Sequence, residues 1–279
     1  MSDTVPISTI ILTKNEAVNI RRCIESLRWC QEIIVVDSGS TDKTVPLAES
    51  LGAKVSTHIP PSPFQFAKQR NWALENCDID TEWVLFLDAD EVIPFELSCT
   101  IQQICSSPNN PYNAFSLTPR YLFLGKWMKH TLGYPNWHDR LLKNGEVFFE
   151  GGVWESFSNS ARVGKITIPY DHYGNSKGLS EWIERHNRYS SWDAKCVFDF
   201  LETGKVESLI TKRKVALRLL AARFWVFRPI VRFVQMYILR RGFLEGWQSL
   251  VFCLLYAFYE LMTVVKIIEL KRKEANLPL

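Results

Sequence analysis

Four short apolar runs, Ser8 to Leu12, Ile33 to Val36, Ala53 to His58 and Trp83 to Leu87, recur in the first ninety residues with helical spacers between them. Continuous apolar runs of about 4 to 6 residues fit strands buried on both faces, as a parallel sheet requires. The spacers carry helix signals. Glu16 to Trp29 places Val18, Ile20, Cys23, Ile24 and Leu27 near 3.6-residue spacing, and Thr41-Asp42 precedes a second helix that ends at Gly52. Strand and helix in this alternation predict an α/β fold, a mostly parallel, doubly wound sheet with right-handed crossovers. In such a sheet ligands bind beyond the carboxyl ends of the strands.

After about residue 105 the rhythm changes. Ser106-Ser107-Pro108-Asn109-Asn110-Pro111 is a turn-rich break, and the stretch to about residue 175 is dense in aromatics, Gly and charge. It is expected to complete the sheet and build the second wall of a cleft. From Ser180 the helical pattern returns and continues to the C-terminus with a break near Pro229. Composition excludes disorder and collagen-like architecture, at 47% hydrophobic residues with 13 Gly and 13 Pro in 279 residues. Seven scattered cysteines without a C-x-x-C pair suggest neither zinc nor a disulfide framework, so a reducing compartment is expected. The first apolar run is followed at once by Lys14-Asn15-Glu16 and reads as a buried strand, not a signal peptide.

Polar clusters close three of the apolar runs: Thr13-Lys14-Asn15-Glu16, Asp37-Ser38-Gly39-Ser40-Thr41-Asp42 and Asp88-Ala89-Asp90-Glu91. Strand ends of a parallel sheet converge on one edge, so these clusters can form one site. Asp37 and Ser40 can also be read as an Asx turn and a helix N-cap. Paired carboxylates at a strand end, Asp88 and Asp90, are hard oxygen ligands suited to Mg²⁺ or Mn²⁺. Five histidines show no metal-ligand spacing and are taken as structural, and neither a P-loop nor a G-x-S-x-G elbow occurs.

Ile10-Ile11-Leu12-Thr13-Lys14-Asn15-Glu16, Val35-Val36-Asp37-Ser38-Gly39-Ser40-Thr41-Asp42, Ala67-Lys68-Gln69-Arg70-Asn71 and Leu87-Asp88-Ala89-Asp90-Glu91 together resemble the ordered signature of family 2 glycosyltransferases. The resemblance implies a GT-A fold with Thr13, Asn15, Glu16, Asp37, Ser40, Lys68, Arg70 and Asp88 around a nucleotide-sugar donor. Asp37 would lie at the base, Asp88 by the ribose and diphosphate, and Asp90, with Asp88, at the metal. Outside that context Arg70-Asn71 reads as a surface pair at a helix N-terminus.

The second half resembles the bacterial lipopolysaccharide-core glucosyltransferases through Gly133-Tyr134-Pro135, Trp137-His138-Asp139-Arg140-Leu141, Gly152-Val153-Trp154-Glu155 and Tyr237-Ile238-Leu239-Arg240-Arg241-Gly242-Phe243. Trp154 stands where that branch commonly has His, offering stacking surface but one hydrogen-bond donor. An inverting transfer to a hydroxyl needs a base on the acceptor side. Glu155 is the first candidate and Asp139 the second, His138-Asp139-Arg140 being open also to reading as a salt-bridged turn. Trp137, Arg140 and Trp154 are the acceptor candidates. The segments expected are 1–115, the nucleotide-sugar-binding half; 116–205, the acceptor half; and 206–279, a membrane-associated helical segment.

That last segment holds the chain's charge asymmetry. Nine basic residues and no acidic one lie between Ser208 and Arg241, so the remainder carries −6 against +3 overall. Basic residues interleaved with Trp and Phe point to an anionic membrane surface, while no nucleic-acid-binding module accompanies them. Residues 246–265 are long enough to span a bilayer, but Glu260, Gln248, Tyr256 and Tyr259 favour a docked or interfacial helix. The function expected is an inverting transfer of a hexose, glucose by the branch resemblance, from a UDP-sugar to a lipid-linked saccharide at the cytoplasmic side of the inner membrane. Transfer to polyprenyl phosphate, a nucleotidyltransferase and a non-catalytic sugar-nucleotide binder are the alternatives.

Overall fold

A computed structural model describes residues 5–61, 65–151, 155–203 and 224–279. Trp154 and the tail residues Lys212, Arg213, Lys214, Arg218 and Arg223 lie outside the described residues. Contacts gather the chain into two units, Met1–Leu122 with Tyr134–Ser176, and Phe123–Gly133 with Lys177–Leu279.

In the first unit the four apolar runs become β1 (Val5–Thr13), β2 (Cys30–Asp37), β3 (Lys54–Thr57) and β4 (Trp83–Asp88). They lie in the order β3-β2-β1-β4, all parallel, joined through helices α1 (Ile20–Glu25), α2 (Thr44–Ser50) and α3 (Phe66–Asn76). The side chains of β4 show why its run is unbroken. Trp83, Leu85 and Leu87 join a core with Ile24 and Leu27, while Val84 and Phe86 join another with Ala67, Ala73 and Phe149. Alternate residues are thus buried on opposite faces. Helix α1 is shorter than the apolar periodicity suggests. Residues 16–19 form a turn in which the Glu16 carbonyl accepts from Asn19 and Ile20, and Leu27 closes the other end through the Ile24 carbonyl. Leu27 still packs into the core, so apolar spacing outlasts the helix. Gly52 follows α2 at φ +87°, a left-handed close open to glycine.

Beyond β4 come β5 (Glu91–Val92), α4 (Phe95–Cys105), β6 (Ala114–Phe123), β7 (Lys126–Trp127), β8 (His138–Lys143), β9 (Phe149–Gly151), β10 (Glu155–Phe157) and β11 (Val163–His172). The sheet continues β4-β8-β6-β11-β5, with β8 antiparallel to both neighbours and β11 parallel to β6. The segment after residue 105 therefore completes the sheet, as its change of rhythm predicts. Strand β5 pairs antiparallel with the end of β11, setting Glu91 opposite His172. Strands β9 and β10 form a separate ribbon whose Phe149 and Phe157 pack into the α3-side core.

The second unit contains α5 (Gly178–Thr203), α6 (Arg228–Phe233) and α7 (Trp247–Glu274), with a π-helical turn, Val234–Leu239, extending α6. Pro229 sits in the first turn of α6, where its missing N–H costs nothing. Buried Glu245 accepts the backbone N–H groups of His130 at 2.6 Å and Thr131 at 3.0 Å, tying the 123–133 excursion to the helices. Phe123, Met128, Met236, Phe252 and Cys253 form this unit's core.

Candidate active site

The register sets Thr13 opposite Asp37 and Leu12 opposite Asp88, so the ends of β1, β2 and β4 share one edge. Asp37 is buried, and its carboxylate accepts the N–H groups of Gly39 at 2.9 Å and Ser40 at 2.8 Å as well as the Ser40 hydroxyl. The Asx turn left open by the sequence is therefore present. The Ser40 hydroxyl accepts the Asn15 N–H at 2.8 Å, and Asn15 Oδ1 accepts the Thr41 N–H at 2.7 Å, stitching the loops after β1 and β2 together. Asn15 has φ +55°, a left-handed conformation that Asn tolerates. Glu16 anchors the same loop, its N–H on the Thr44 hydroxyl and its carboxylate on Asn19 Nδ2, each at 2.7 Å. The buried Thr13 hydroxyl has no hydrogen-bond partner among the described residues.

A second group centres on Arg70 of α3, a fully buried guanidinium at 1% exposure. Its Nε donates to Glu155 Oε1 at 2.8 Å, and its Nη2 lies 3.6 Å from Asp88 Oδ1. Phe86 and Phe149 present their rings 5.3 and 5.4 Å from the guanidinium carbon. Asn71 exchanges two hydrogen bonds with the Phe149 backbone, so neither residue is the surface pair that the isolated motif allows. Lys68, two residues before Arg70, is exposed.

Arg140 of β8 supplies a second buried cation. Its Nη2 donates to Asp88 Oδ2 at 3.0 Å and to Glu91 Oε1 at 2.6 Å. Arg140, expected at the acceptor, is buried with its Nη2 on these two carboxylates. Burial pushes the Asp88 carboxyl up, but the Arg140 and Arg70 guanidiniums outweigh it and hold it well below the usual carboxylate range. Burial pushes the Glu91 carboxyl up, with Arg140 opposing and Asp88 adding to the rise. Neighbouring carboxyls driven apart in this way are a mark of functional sites.

Asp90 Oδ2 lies 3.3 Å from His172 Nε2, and the His172 ring packs 4.6 Å from that of Tyr121. Burial works against charge on His172, yet Asp90 raises its pKa above the usual value. His172 is the residue that sequence reasoning missed. It closes the β11 run, the same strand-end position that singled out the other three clusters. Asp139 uses both oxygens within the protein, Oδ1 accepting the Ser116 hydroxyl at 2.6 Å and Oδ2 the Phe157 N–H at 2.8 Å. Glu155 differs, since its buried Oε2 has no hydrogen-bond partner among the described residues. Trp137 is half-buried under the Lys165 ammonium, 5.0 Å from its ring.

Among the described residues no three His, Cys, Asp or Glu side chains form a metal cage. Mg²⁺ and Mn²⁺ do not need one, because they take one or two protein ligands and complete their shell with water and phosphate oxygens. A carboxylate and an imidazole on neighbouring strand ends suit that partial shell. With Asp88 turned toward two guanidiniums, Asp90 and His172 carry the fit.

A sequence model described as glycosyl transferase family 2 matches residues 8–145. The chain is 31% identical to an uncharacterized glycosyltransferase of Rickettsia typhi, over 97% of this chain and 89% of that protein. It is 25% identical to the lipopolysaccharide core biosynthesis glycosyltransferase LpsC of Rhizobium meliloti, over 96% of this chain and 93% of that protein. Among solved structures, residues 1–349 of TarS from S. aureus align with a TM-score of 0.43 at 16% identity, covering 85% of this chain and 77% of that one.

Proposed function

The chain belongs to glycosyl transferase family 2, and on that premise we propose that it is an inverting, metal-dependent hexosyltransferase of the GT-A type. Its donor would be a UDP-sugar, UDP-glucose first, and its acceptor a lipid-linked saccharide of the cell envelope, met at the cytoplasmic face of the inner membrane. Likeness to LpsC across nearly the whole chain supports the envelope assignment.

The observation that carries the chemistry is the state of Glu155. Arg70 holds one of its oxygens at 2.8 Å, and the other, buried, has no hydrogen-bond partner among the described residues. A carboxylate held through one oxygen, with lone pairs unused on the other, is suited to accept a proton. The acceptor hydroxyl gives its proton to Glu155 Oε2 as its oxygen bonds to the anomeric carbon, and the bond from that carbon to the diphosphate oxygen breaks with release of UDP. Thr13, Asn15, Glu16, Asp37 and Ser40 hold the nucleoside on loops that the Asn15–Ser40 and Asn15–Thr41 bonds keep together. Asp90 and His172 would hold Mg²⁺ or Mn²⁺, which supplies neutralisation of the departing diphosphate. Asp139, with both oxygens engaged, holds β10 against β8 and so keeps Glu155 in place.

Glu155→Gln preserves size and removes basicity. Single-turnover transfer is expected to fall about 10²- to 10⁴-fold while UDP-sugar affinity stays near wild type. Normal transfer by the variant would remove the base and favour a phosphate acceptor, which needs none. Release of pyrophosphate instead of UDP would move the enzyme to the nucleotidyltransferases, and wild-type transfer untouched by EDTA would remove the metal.

A further inference from the structure

The second unit turns its apolar side outward. On α7 every exposed residue from Trp247 to Ile268 is apolar, namely Trp247, Leu250, Leu254, Phe258, Leu261, Val265 and Ile268. They recur every three or four residues and so line one face. The buried face of the same helix is the more polar one, with Ser249, Glu260 and Thr263 beside Phe252, Val264 and Ile267. A helix on the surface of a soluble protein has the opposite pattern. The preceding segment repeats the inversion, since between 224 and 245 the exposed residues are apolar except for Arg241. In all, seventeen large apolar side chains between Phe224 and Ile268 are exposed, and a concentration of exposed apolar residues marks a surface that meets a membrane or a partner. Glu260, the charge that by sequence speaks against apolar surroundings, lies on the buried face within 2.6 Å of Arg228 and 2.8 Å of Arg232.

We infer that this face is set into the hydrocarbon of one anionic bilayer leaflet, with α7 lying in the membrane plane. Arg240 and Arg241 precede the stripe and Lys271, Arg272 and Lys273 follow it, putting cations at headgroup level at both ends of a stripe roughly 30 Å long. Helix α5 opposes a crossing. It packs along α7 through Tyr259, which donates to Asp193, and through Lys266, which donates to Asn187 at 2.6 Å and Ser190 at 2.8 Å. Its exposed residues include the charged Glu184, Arg188, Lys195, Asp199 and Glu202 along with Ile183, Tyr189 and Trp192. A transmembrane α7 would draw these charges into the hydrocarbon, which is unfavourable for each. An in-plane α7 leaves them in water and buries only the apolar stripe.

The test uses the full chain and vesicles of phosphatidylglycerol and phosphatidylethanolamine. Wild type is expected to float with the vesicles at low salt and still at about 1 M salt, where exposed charge attraction is screened within about 3 Å. The double variant Leu254→Glu with Phe258→Glu alters exposed positions only and is expected to lose at least tenfold in salt-resistant flotation. Leu179→Glu, exposed on α5, is expected to float as wild type. UDP binding by each protein reports separately on the first unit, so a failed donor assignment does not mimic a failed insertion. Trypsin added outside the vesicles is expected to cut at Lys271 to Lys273. Release of wild type by salt, a soluble dimer with no vesicle binding, or a tail protected from trypsin would each overturn the insertion, in favour of electrostatic adsorption, an interface between copies, or a span.

Discussion

Arg70 is buried, so its carboxylate partners Glu155 and Asp88 carry the compensation for the guanidinium charge. Lysine in its place keeps the charge but loses the planar fork, and one ammonium cannot reach Glu155 and Asp88 together. Losing one charge-assisted hydrogen bond costs about 1.5 to 3 kcal/mol. Glu155 and Asp88 are 18% and 33% exposed, and Asp88 keeps Arg140, so the lower end applies. Arg70→Lys is therefore expected to lose about 1.5 kcal/mol of stability and most of its transfer rate, with donor affinity less affected. Urea unfolding and single-turnover kinetics on one preparation check it, and a variant of wild-type stability and rate would show that neither carboxylate contact depends on the guanidinium fork. The positions of Asp37, Asp88 and Asp90 were legible because each ends an apolar run, and the run dictates where the chain leaves the sheet. The Arg70–Glu155 contact was not legible. It joins residues 85 apart through a two-stranded ribbon whose placement depends on Phe149 and Phe157 packing against the α3-side core.

At the scale of elements, α5 carries a titratable group that the fold keeps neutral. His186 is 7% exposed, stacked 3.7 Å from Trp182 and edge-on to Tyr189, Tyr256 and Tyr259, with Nδ1 donating to the Trp182 carbonyl at 2.8 Å. Burial pushes its pKa down to about 4, with the Trp182 carbonyl opposing and Arg185 assisting. The unfolded chain takes up this proton near pH 6.5, above the folded value, so it is the unfolded state that gains as pH falls. Stability from this group is complete above about pH 6.5 and declines toward pH 4, by about 3 kcal/mol at most. His186→Phe is expected to flatten that part of the stability profile, measured by urea unfolding between pH 4.5 and 7.5 against wild type. An unchanged slope would place the acid sensitivity elsewhere. The parallel strands were readable because burial on both faces demands an unbroken apolar run. The charge of Glu260 was legible in the sequence but its face on α7 was not, because that face depends on Arg228 and Arg232 meeting the carboxylate on the inner side.

For the whole molecule, net charge says little, since +3 averages a basic tail over an acidic remainder. What the chain can do depends on two units of different chemistry, one with Glu155 and the strand-end carboxylates, the other with an outward apolar stripe. If the first performs transfer and the second supplies residence at the membrane, variants in each should fail differently. Glu155→Gln should lose transfer to a soluble saccharide and to a vesicle-borne one alike, because it removes the base from both reactions. Leu254→Glu with Phe258→Glu should keep transfer to the soluble acceptor, because no strand-end residue is touched. With the vesicle-borne acceptor its apparent KM should rise about 10- to 100-fold at unchanged kcat, since confinement to a common surface acts as a raised effective concentration. The comparison requires both acceptors with the same headgroup sugar, assayed with wild type and both variants at one donor concentration. A stripe variant equally impaired on the soluble acceptor would show that the second unit acts on the chemistry itself, and one unimpaired on vesicles would show that residence at the membrane does not limit the reaction.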